Sequence, residues 1–282
     1  MFGDTGISKG ELIAYYRNIA KAMLPFLKDR PLMLQRFPDG ITKEGFYQKE
    51  VPDYFPDWLQ RVHVSKEGGS VNHALCNNAA SLVYLANQAC LTFHVWLSRR
   101  DRLDYPDQML FDLDPGDNDF APVRKAAVLL RDLLTELELD AYVMTTGSSG
   151  LHVRVPLLRK TGFDRVRATA REIAAKVIAC HPEEFTMEQR VQKRRGRLFI
   201  DTNRNAYGQT AVAPYSVRPY PSAPVAAPIH WHELEDGAVD SRTFTMADIP
   251  RRLAETSDPW KDITANLRSL KHTMQLLEIR SE

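Results

Sequence analysis

The 282-residue sequence contains no apolar run of membrane-spanning length, and its N-terminus lacks a signal-peptide pattern, so nothing in it calls for a bilayer. Cysteine is scarce. Cys76, Cys90 and Cys180 are scattered, with no C-x-x-C pair, which argues against a structural zinc and against a disulfide framework. Neither sign of charge is in excess: 37 Lys plus Arg stand against 36 Asp plus Glu, a formal net charge of +1. A nucleic-acid partner would therefore be held by local basic patches rather than by overall attraction. No internal repeat or low-complexity tail is visible. With 44% hydrophobic and 26% charged residues, the expectation is a soluble globular protein of a reducing, cytoplasmic compartment, with no membrane partner and with room for one large or two smaller domains.

Ser8 stands three residues before Glu11, a capping-box signature, and Leu12, Tyr15, Ile19 and Met23 follow at helical spacing. "SKGELIAYYRNIAKAMLPFL" is thus expected to be one helix. "LMLQRF" reads as a strand ending in the turn "PDG", "EGGSVNHALCNN" as a polar loop, "AASLVYLANQAC" as a helix and "LTFHVWLS" as a strand. These make an N-terminal α/β module over about 1–106. From 107 the order becomes strand, helix, strand, strand, helix, strand, through "QMLFDLD", "FAPVRKAAVLLRDLLTELEL", "AYVMTT", "LHVRVPL", "FDRVRATAREIAAKVIAC" and "RLFID". That is the split ferredoxin-like arrangement of RNA-recognition folds, expected over 107–230. Residues 211–230 are too rich in proline for a helix or a central strand and are expected to wrap across the domain. A helix with Ile263, Leu267, Leu270, Met274 and Leu277 on one face should close the chain within 231–282. The fold class expected is α+β, a ferredoxin-like sheet packed with the N-terminal module.

Asp112 and Asp114 in "LFDLD" are the first candidate for chemistry. Alternate residues of a strand share a face, so the two carboxylates project together while Leu113 points into the core. Either they are a solvated strand end running into Pro115 and Gly116, or they hold a hard divalent cation. Asp201 in "FIDTNRN" ends a strand that the ferredoxin-like order places beside theirs. It either joins them in binding metal for phosphoryl chemistry or begins a turn, where Asp and Asn are favoured. "TTGSSGLHV" offers Thr146, Ser148 and Ser149 in a connection able to wrap phosphate oxygens, with His152 on the polar face of the following strand. The plainer readings are an ordinary hairpin turn and a surface histidine.

Arg190, Lys193, Arg194, Arg195, Arg197 and Arg204 surround Asp201 in sequence, and Arg218 follows in "YSVRPY". Such a run is either a solvated face or a source of phosphate ligands. Phe46 and Tyr47, followed by Lys49, suit stacking of an unpaired base with its phosphate held nearby, unless one ring is a core residue.

Together "GISKGELIAYY", "RPLMLQRFPDG", "FYQK", "FHVWLSR", "PDQMLFDLDPG", "TTGSSGLHV" and "FIDTNRNAYGQTAVAPYSVRPYPSAPVAAPIHW" resemble, in order and over nearly the whole chain, the polymerase domain of bacterial ligase D in the archaeo-eukaryotic primase superfamily. The resemblance implies a primase-like two-part fold. It implies a template-dependent DNA/RNA polymerase that adds nucleotides, preferably ribonucleotides, to primer ends at gaps and double-strand breaks. NTPs or dNTPs would be the substrates and two manganese or magnesium ions the cofactors. Asp112, Asp114 and Asp201 would hold the metals. His152 and Thr146 would meet the incoming phosphates, Arg194 and Arg218 the triphosphate, and His94 the sugar. Phe46 and Tyr47 would stack on the template, and Lys9 would grip the 5′-phosphate across a gap. A Ku homologue and an ATP-dependent DNA ligase are the implied partners, in a bacterial or archaeal cell and near the nucleoid.

Ser149 stands where family members usually carry lysine, and Gln35 where some carry a basic residue. The family's segment before "GISKG", with a second 5′-phosphate lysine, has no counterpart in the sequence, which leaves recognition of the downstream 5′-phosphate an open question for Lys9 and its neighbours. A stand-alone polymerase or an excised domain is expected. The competing expectations are a primase that starts chains unaided, a gap-repair polymerase, and a non-catalytic nucleic-acid-binding module.

Overall fold

The computed structural model of the protein describes residues 1–66, 68–116 and 119–279. Asp117 and Asn118 of the acidic stretch, and residues 280–282 of the expected C-terminal closure, lie outside the described residues. In chain order the first elements are α1 (Lys9–Asn18), α2 (Ala20–Leu27), β1 (Leu32–Arg36), β2 (Phe46–Gln48), β3 (Arg61–Lys66), β4 (Gly69–Ala74), α3 (Ala79–Asn87) and β5 (Cys90–Trp96). Then come β6 (Gln108–Asp114), α4 (Ala121–Glu136), β7 (Tyr142–Thr145), β8 (Leu151–Pro156), α5 (Phe163–Cys180), β9 (Phe185–Thr186), α6 (Val191–Arg194) and β10 (Leu198–Asp201). The last are β11 (Thr210–Val212), β12 (Pro228–Ile229), α7 (Trp231–Glu235), α8 (Asp248–Glu255) and α9 (Leu270–Leu276).

The chain divides into two units, each assembled from separated stretches rather than from the contiguous pieces expected: 1–101 with 210–227 and 244–258, and 102–209 with 228–243 and 259–282. In the first unit an antiparallel sheet runs β11-β5-β1-β2. The spacing seen in the sequence is borne out by packing, since Leu12, Tyr15, Ile19 and Met23 are all buried with Leu82, Leu85 and Phe93. The capping box is also present: Ser8 Oγ accepts from the Glu11 N–H at 3.2 Å, and Glu11 Oε2 accepts from the Ser8 N–H at 2.7 Å. The single expected helix is nevertheless two, interrupted at Ile19 (φ −95°, ψ 6°). The stretch "EGGSVNHALCNN" is not wholly a loop. β4 lies within it and pairs with β3 as a hairpin. Only Val64, His73 and Ala74 of the hairpin's described side chains are buried, so the apolar alternation that announces a strand is missing.

His73 carries a testable consequence. It is buried, its Nδ1 lies 2.9 Å from the Leu32 carbonyl oxygen, and its ring meets Trp96 edge-on. Burial holds its pKa below the ordinary imidazole value, outweighing that hydrogen bond. The unfolded chain thus binds this proton more readily than the folded one. The stability is complete above about pH 6.5 and is lost as pH falls from there through the lower folded value. Thermal melts between pH 8 and 5 should show His73→Gln less stable at pH 8 and shallower in its acid slope than the wild type. Parallel slopes would remove His73 from the account.

The second unit is built on the sheet β12-β7-β8-β6-β10-β9. Its inner strands run β7-β8-β6-β10, all antiparallel, the ferredoxin-like order expected from the sequence. The amphipathic helices α4 and α5 pack on β6, whose Met109, Phe111 and Leu113 are fully buried. By alternation, Asp112 and Asp114 face the other way.

The proline-rich tract supplies two short edge strands, β11 in the first sheet and β12 in the second, where a missing N–H is tolerated. The closing helix is shorter than expected. Ser269 caps α9, so Ile263 and Leu267 precede it; Leu270 and Met274 are buried while Leu267 is exposed. No helix among the described residues is long and apolar enough to cross a membrane.

Candidate active site

Three adjacent strands carry polar groups side by side in the second unit. His152 on β8 is the register partner of Asp112 on β6, and Asp112 is in turn the partner of Asp201 on β10. Asp114, two residues beyond Asp112, lies opposite Phe199. The side chains of Asp112 and Asp201 are only 16% and 15% exposed, that of Asp114 48%. The solvated-strand-end reading therefore fails for Asp112 and Asp201. Asp201 is also a turn former, its Oδ1 accepting from the Asn203 N–H at 2.8 Å.

Asp112 is the hub. His152 Nε2 lies 3.4 Å from its Oδ1, and Arg204 Nε 3.3 Å from its Oδ2. Burial alone would raise this carboxyl, but His152 and Arg204 outweigh it and hold the pKa at about 2. Asp114 shifts the opposite way: burial and the Asp112 charge push it up, against Arg194 and Ser149. The two carboxylates are pushed apart because Asp112 has His152 and Arg204 at contact distance while Asp114 faces the Asp112 charge.

His152 is buried, not a surface residue, and burial depresses its pKa against the pull of Asp112. Its Nδ1 lies 3.5 Å from Arg154 Nη2. A guanidinium can only donate, so Nδ1 accepts and Nε2 keeps the proton aimed at Asp112. The buried Arg154 is set by Gln108 Oε1 at 2.9 Å and by the ring of Trp260 at 5.6 Å. Sequence reasoning passed over Arg154, Gln108 and Trp260. The available signal was an arginine inside a strand otherwise apolar enough to be fully buried, which demands a partner.

Asn205 was missed as well. Its side chain donates to the Leu110 and Thr202 carbonyls at 2.7 and 2.9 Å and accepts from the Leu110 N–H at 2.8 Å. It thus clips the turn Asn203–Asn205, and with it Arg204, onto β6.

Of the basic run, Arg194 and Arg204 turn toward the carboxylates. Arg194 is buried against the Phe199 ring at 4.0 Å, donates to the Glu188 and Gln189 carbonyls, and brings Nη1 to 3.9 Å from Asp114. Arg197 clasps the Arg194 and Pro182 carbonyls instead. Arg190, Lys193 and Arg195 are exposed. In the 146–149 turn, Thr146 Oγ1 donates to the Gly150 carbonyl and accepts from the Gly150 and Ser148 N–H groups. Its hydroxyl thus holds the turn together rather than facing outward. The Ser148 carbonyl accepts from Ser241 Oγ and Arg242 Nε, and Ser149 Oγ donates to Asp114 at 3.4 Å. The 240–243 strap gave no sequence signal.

The remaining candidates lie in the first unit. Phe46 and Tyr47, on edge strand β2, are 45% and 57% exposed, so neither ring is a core residue. Arg36 lies over the Phe46 ring, and Tyr47 meets His94 edge-on. Lys49 is exposed and Arg218 partly buried. Lys9 lines a cavity of about 420 Å³ with Met1, Gly3, Pro38, Asp39, Gly40 and Thr42.

The carboxylate oxygens have the donor chemistry for a hard divalent cation. Among the described residues, however, no three His, Cys, Asp or Glu side chains are gathered as a ready metal centre, and Arg204 stands at Asp112 and Asp201. The donor chemistry of the carboxylates suits such an ion, while Arg204 engages oxygens of two of them in this arrangement.

A ferredoxin-like sheet with acidic groups in register on its central and flanking strands fits the class of primase-polymerase-type catalytic domains. The family model of the LigD primase-polymerase domain matches residues 8–260, and the chain belongs to that family. It is 31% identical over 261 residues to the "Multifunctional non-homologous end joining protein LigD" of Mycolicibacterium smegmatis, covering 92% of this chain and 34% of that one. It is 32% identical to the "Bifunctional non-homologous end joining protein LigD" of Bacillus subtilis, covering 92% and 42%. The chain therefore spans between a third and a half of these relatives. The solved polymerase domain of Mycobacterium tuberculosis ligase D, in complex with DNA, superposes with a TM-score of 0.88 at 28% identity, covering 95% of this chain and 96% of that one.

Proposed function

We propose that this chain is a template-directed nucleotidyltransferase that adds nucleotides, preferentially ribonucleotides, to DNA primer ends at gaps and double-strand breaks. The observation that carries the reading is the register of Asp112 with Asp201, with Asp114 one step beyond. Asp112, Asp114 and Asp201 would hold two magnesium or manganese ions, which supply Lewis-acid activation of a 3′-hydroxyl and neutralise triphosphate charge.

The protein's own groups do the rest. His152, its tautomer set by Arg154, and Arg204 hold Asp112 in its ionised form. Arg194 and Arg204 offer guanidinium donors to the triphosphate, the role that the family resemblance also gives Arg218. The 146–149 turn contributes Ser148 and Ser149, with Thr146 setting its shape. His94 serves the sugar, Phe46 and Tyr47 stack on the template with Lys49 at its phosphate, and Lys9 with its cavity takes a 5′-phosphate. The setting is the bacterial or archaeal cytoplasm at the nucleoid, beside a Ku homologue and an ATP-dependent ligase. A non-catalytic binding module is disfavoured, because three acids on one sheet end oppose nucleic-acid phosphates.

The test is extension of a labelled primer across a short gap with manganese, offering ribo- and deoxynucleotides separately, with and without the downstream 5′-phosphate. Ribonucleotide addition stimulated by the phosphate is expected. Extension indifferent to the phosphate would remove Lys9 from the scheme, and no extension under any condition would end the polymerase reading.

A further inference from the structure

A cation already stands between two of the three carboxylates, and the protein supplies it. Arg204 Nε lies 3.3 Å from Asp112 Oδ2 and 3.8 Å from Asp201 Oδ2. The two acids face each other across β6 and β10, and Asn205 locks the intervening turn to Leu110. We infer that Arg204 is a resident counter-ion of the carboxylate cluster, one that a divalent cation must displace in order to bind. This rests on the metal-dependent reading above and adds a competitor to it.

The physical case has three parts. Facing carboxylates repel one another and need a cation between them. An arginine meets that need at every working pH, because it does not deprotonate. It also engages the oxygens that a metal would need at about 2.0–2.6 Å, and the three acids on neighbouring strands are not gathered as a metal centre among the described residues. Third, the arrangement is reversible. The Arg204 side chain is 43% exposed and its partners Asp112 and Asp201 are 16% and 15% exposed, so the arginine itself has a path to solvent by which a divalent ion can take its place. Asp114 is held differently, by Ser149 Oγ at 3.4 Å and the buried Arg194 at 3.9 Å. Arg194 is anchored to two backbone carbonyls, whereas the side-chain contacts of Arg204 run to the acids themselves, which marks it as the arm that moves.

The experiment measures Mn²⁺ binding directly, by loss of the free-ion electron paramagnetic resonance signal, for the full chain and for Arg204→Gln, Arg204→Lys and Asp112→Ala. Removing the competitor should tighten binding about three- to tenfold in Arg204→Gln. Arg204→Lys, which keeps the charge, should stay closer to the wild type. Arginine-selective labelling of the wild type with phenylglyoxal, read by peptide mass spectrometry, avoids any folding defect of the variants. Mn²⁺ should make Arg204 more reactive, as it leaves the carboxylates.

Unchanged or weaker Mn²⁺ binding in Arg204→Gln, with Asp112→Ala still abolishing it, would overturn the counter-ion role and leave the metal site standing. So would labelling of Arg204 that ignores Mn²⁺. If Asp112→Ala binds Mn²⁺ as well as the wild type does, the metal site itself falls and this inference with it.

Discussion

Asp112→Ala should lower nucleotide addition at least about a thousandfold while the chain stays folded. The size of the effect follows from where Asp112 sits. It is the middle member of the row His152–Asp112–Asp201, and both of its oxygens are in use, Oδ1 toward His152 and Oδ2 toward Arg204. Removing it takes away one of the proposed metal ligands, frees His152 from its fixed orientation, and leaves Arg204 facing Asp201 alone. The fold should survive, because the strand is held by Met109, Phe111 and Leu113 on the opposite face, all fully buried. The lost contacts should cost about 1–3 kcal/mol. Asp112→Asn separates charge from shape: it keeps the outline of the side chain, and its activity should be nearly as low. Single-turnover primer extension at saturating Mn²⁺, beside circular dichroism and a thermal melt, checks both variants. A folded Asp112→Ala variant within about tenfold of wild-type activity would reduce the three carboxylates to partners of structural ion pairs.

How much of this could be read in advance differs between the two units. In the second, strong helical periodicity in α4 and α5 and short apolar strands between them gave the element order, and that order alone dictates that β6 lies between β8 and β10. The meeting of Asp112 with Asp201 followed from the strand order and from alternation along each strand. What alternation could not give is burial. β8 is buried on both faces, so His152 and Arg154 lie inside the protein although pattern reading placed His152 on a polar face. In the first unit the helix α1 was legible through its capping box, but β3 and β4 pair through strands rich in polar residues, which carry no apolar alternation. Contacts distant in sequence left no local signal. The Arg154–Trp260 stacking spans more than a hundred residues, and the hold of Ser241 and Arg242 on Ser148 nearly as many. Arg204 shows the opposite limit: sequence proximity to Asp201 drew attention to it, yet only the structure sets it against two carboxylates at once.

Gly150→Ala should be among the most damaging single-methyl changes in the chain. A Cβ at this position would lie 1.8 Å from the Leu113 carbonyl oxygen and 3.0 Å from its carbon, distances that backbone atoms cannot accommodate without moving. Leu113 lies between Asp112 and Asp114, and the 146–150 turn is seated directly on it. That seating brings Ser149 Oγ to Asp114 and closes the turn through the Thr146 N–H and hydroxyl bonds to the Gly150 carbonyl. Adding the methyl group must lift the turn from β6, break those bonds, and pull Ser148 against its strap from Ser241 and Arg242. The expected loss is about 3 kcal/mol or more, a melting temperature lower by roughly 6–12 °C, and nucleotide addition lowered with it. Gly237→Ala supplies the comparison. Gly237 has φ +74° with nothing within 4 Å of the new Cβ, so only the conformational strain applies, about 1 kcal/mol. If Gly150→Ala melts no lower than Gly237→Ala, the turn is not seated on the Leu113 carbonyl, and the proposed placement of Ser148 and Ser149 beside Asp114 loses its support.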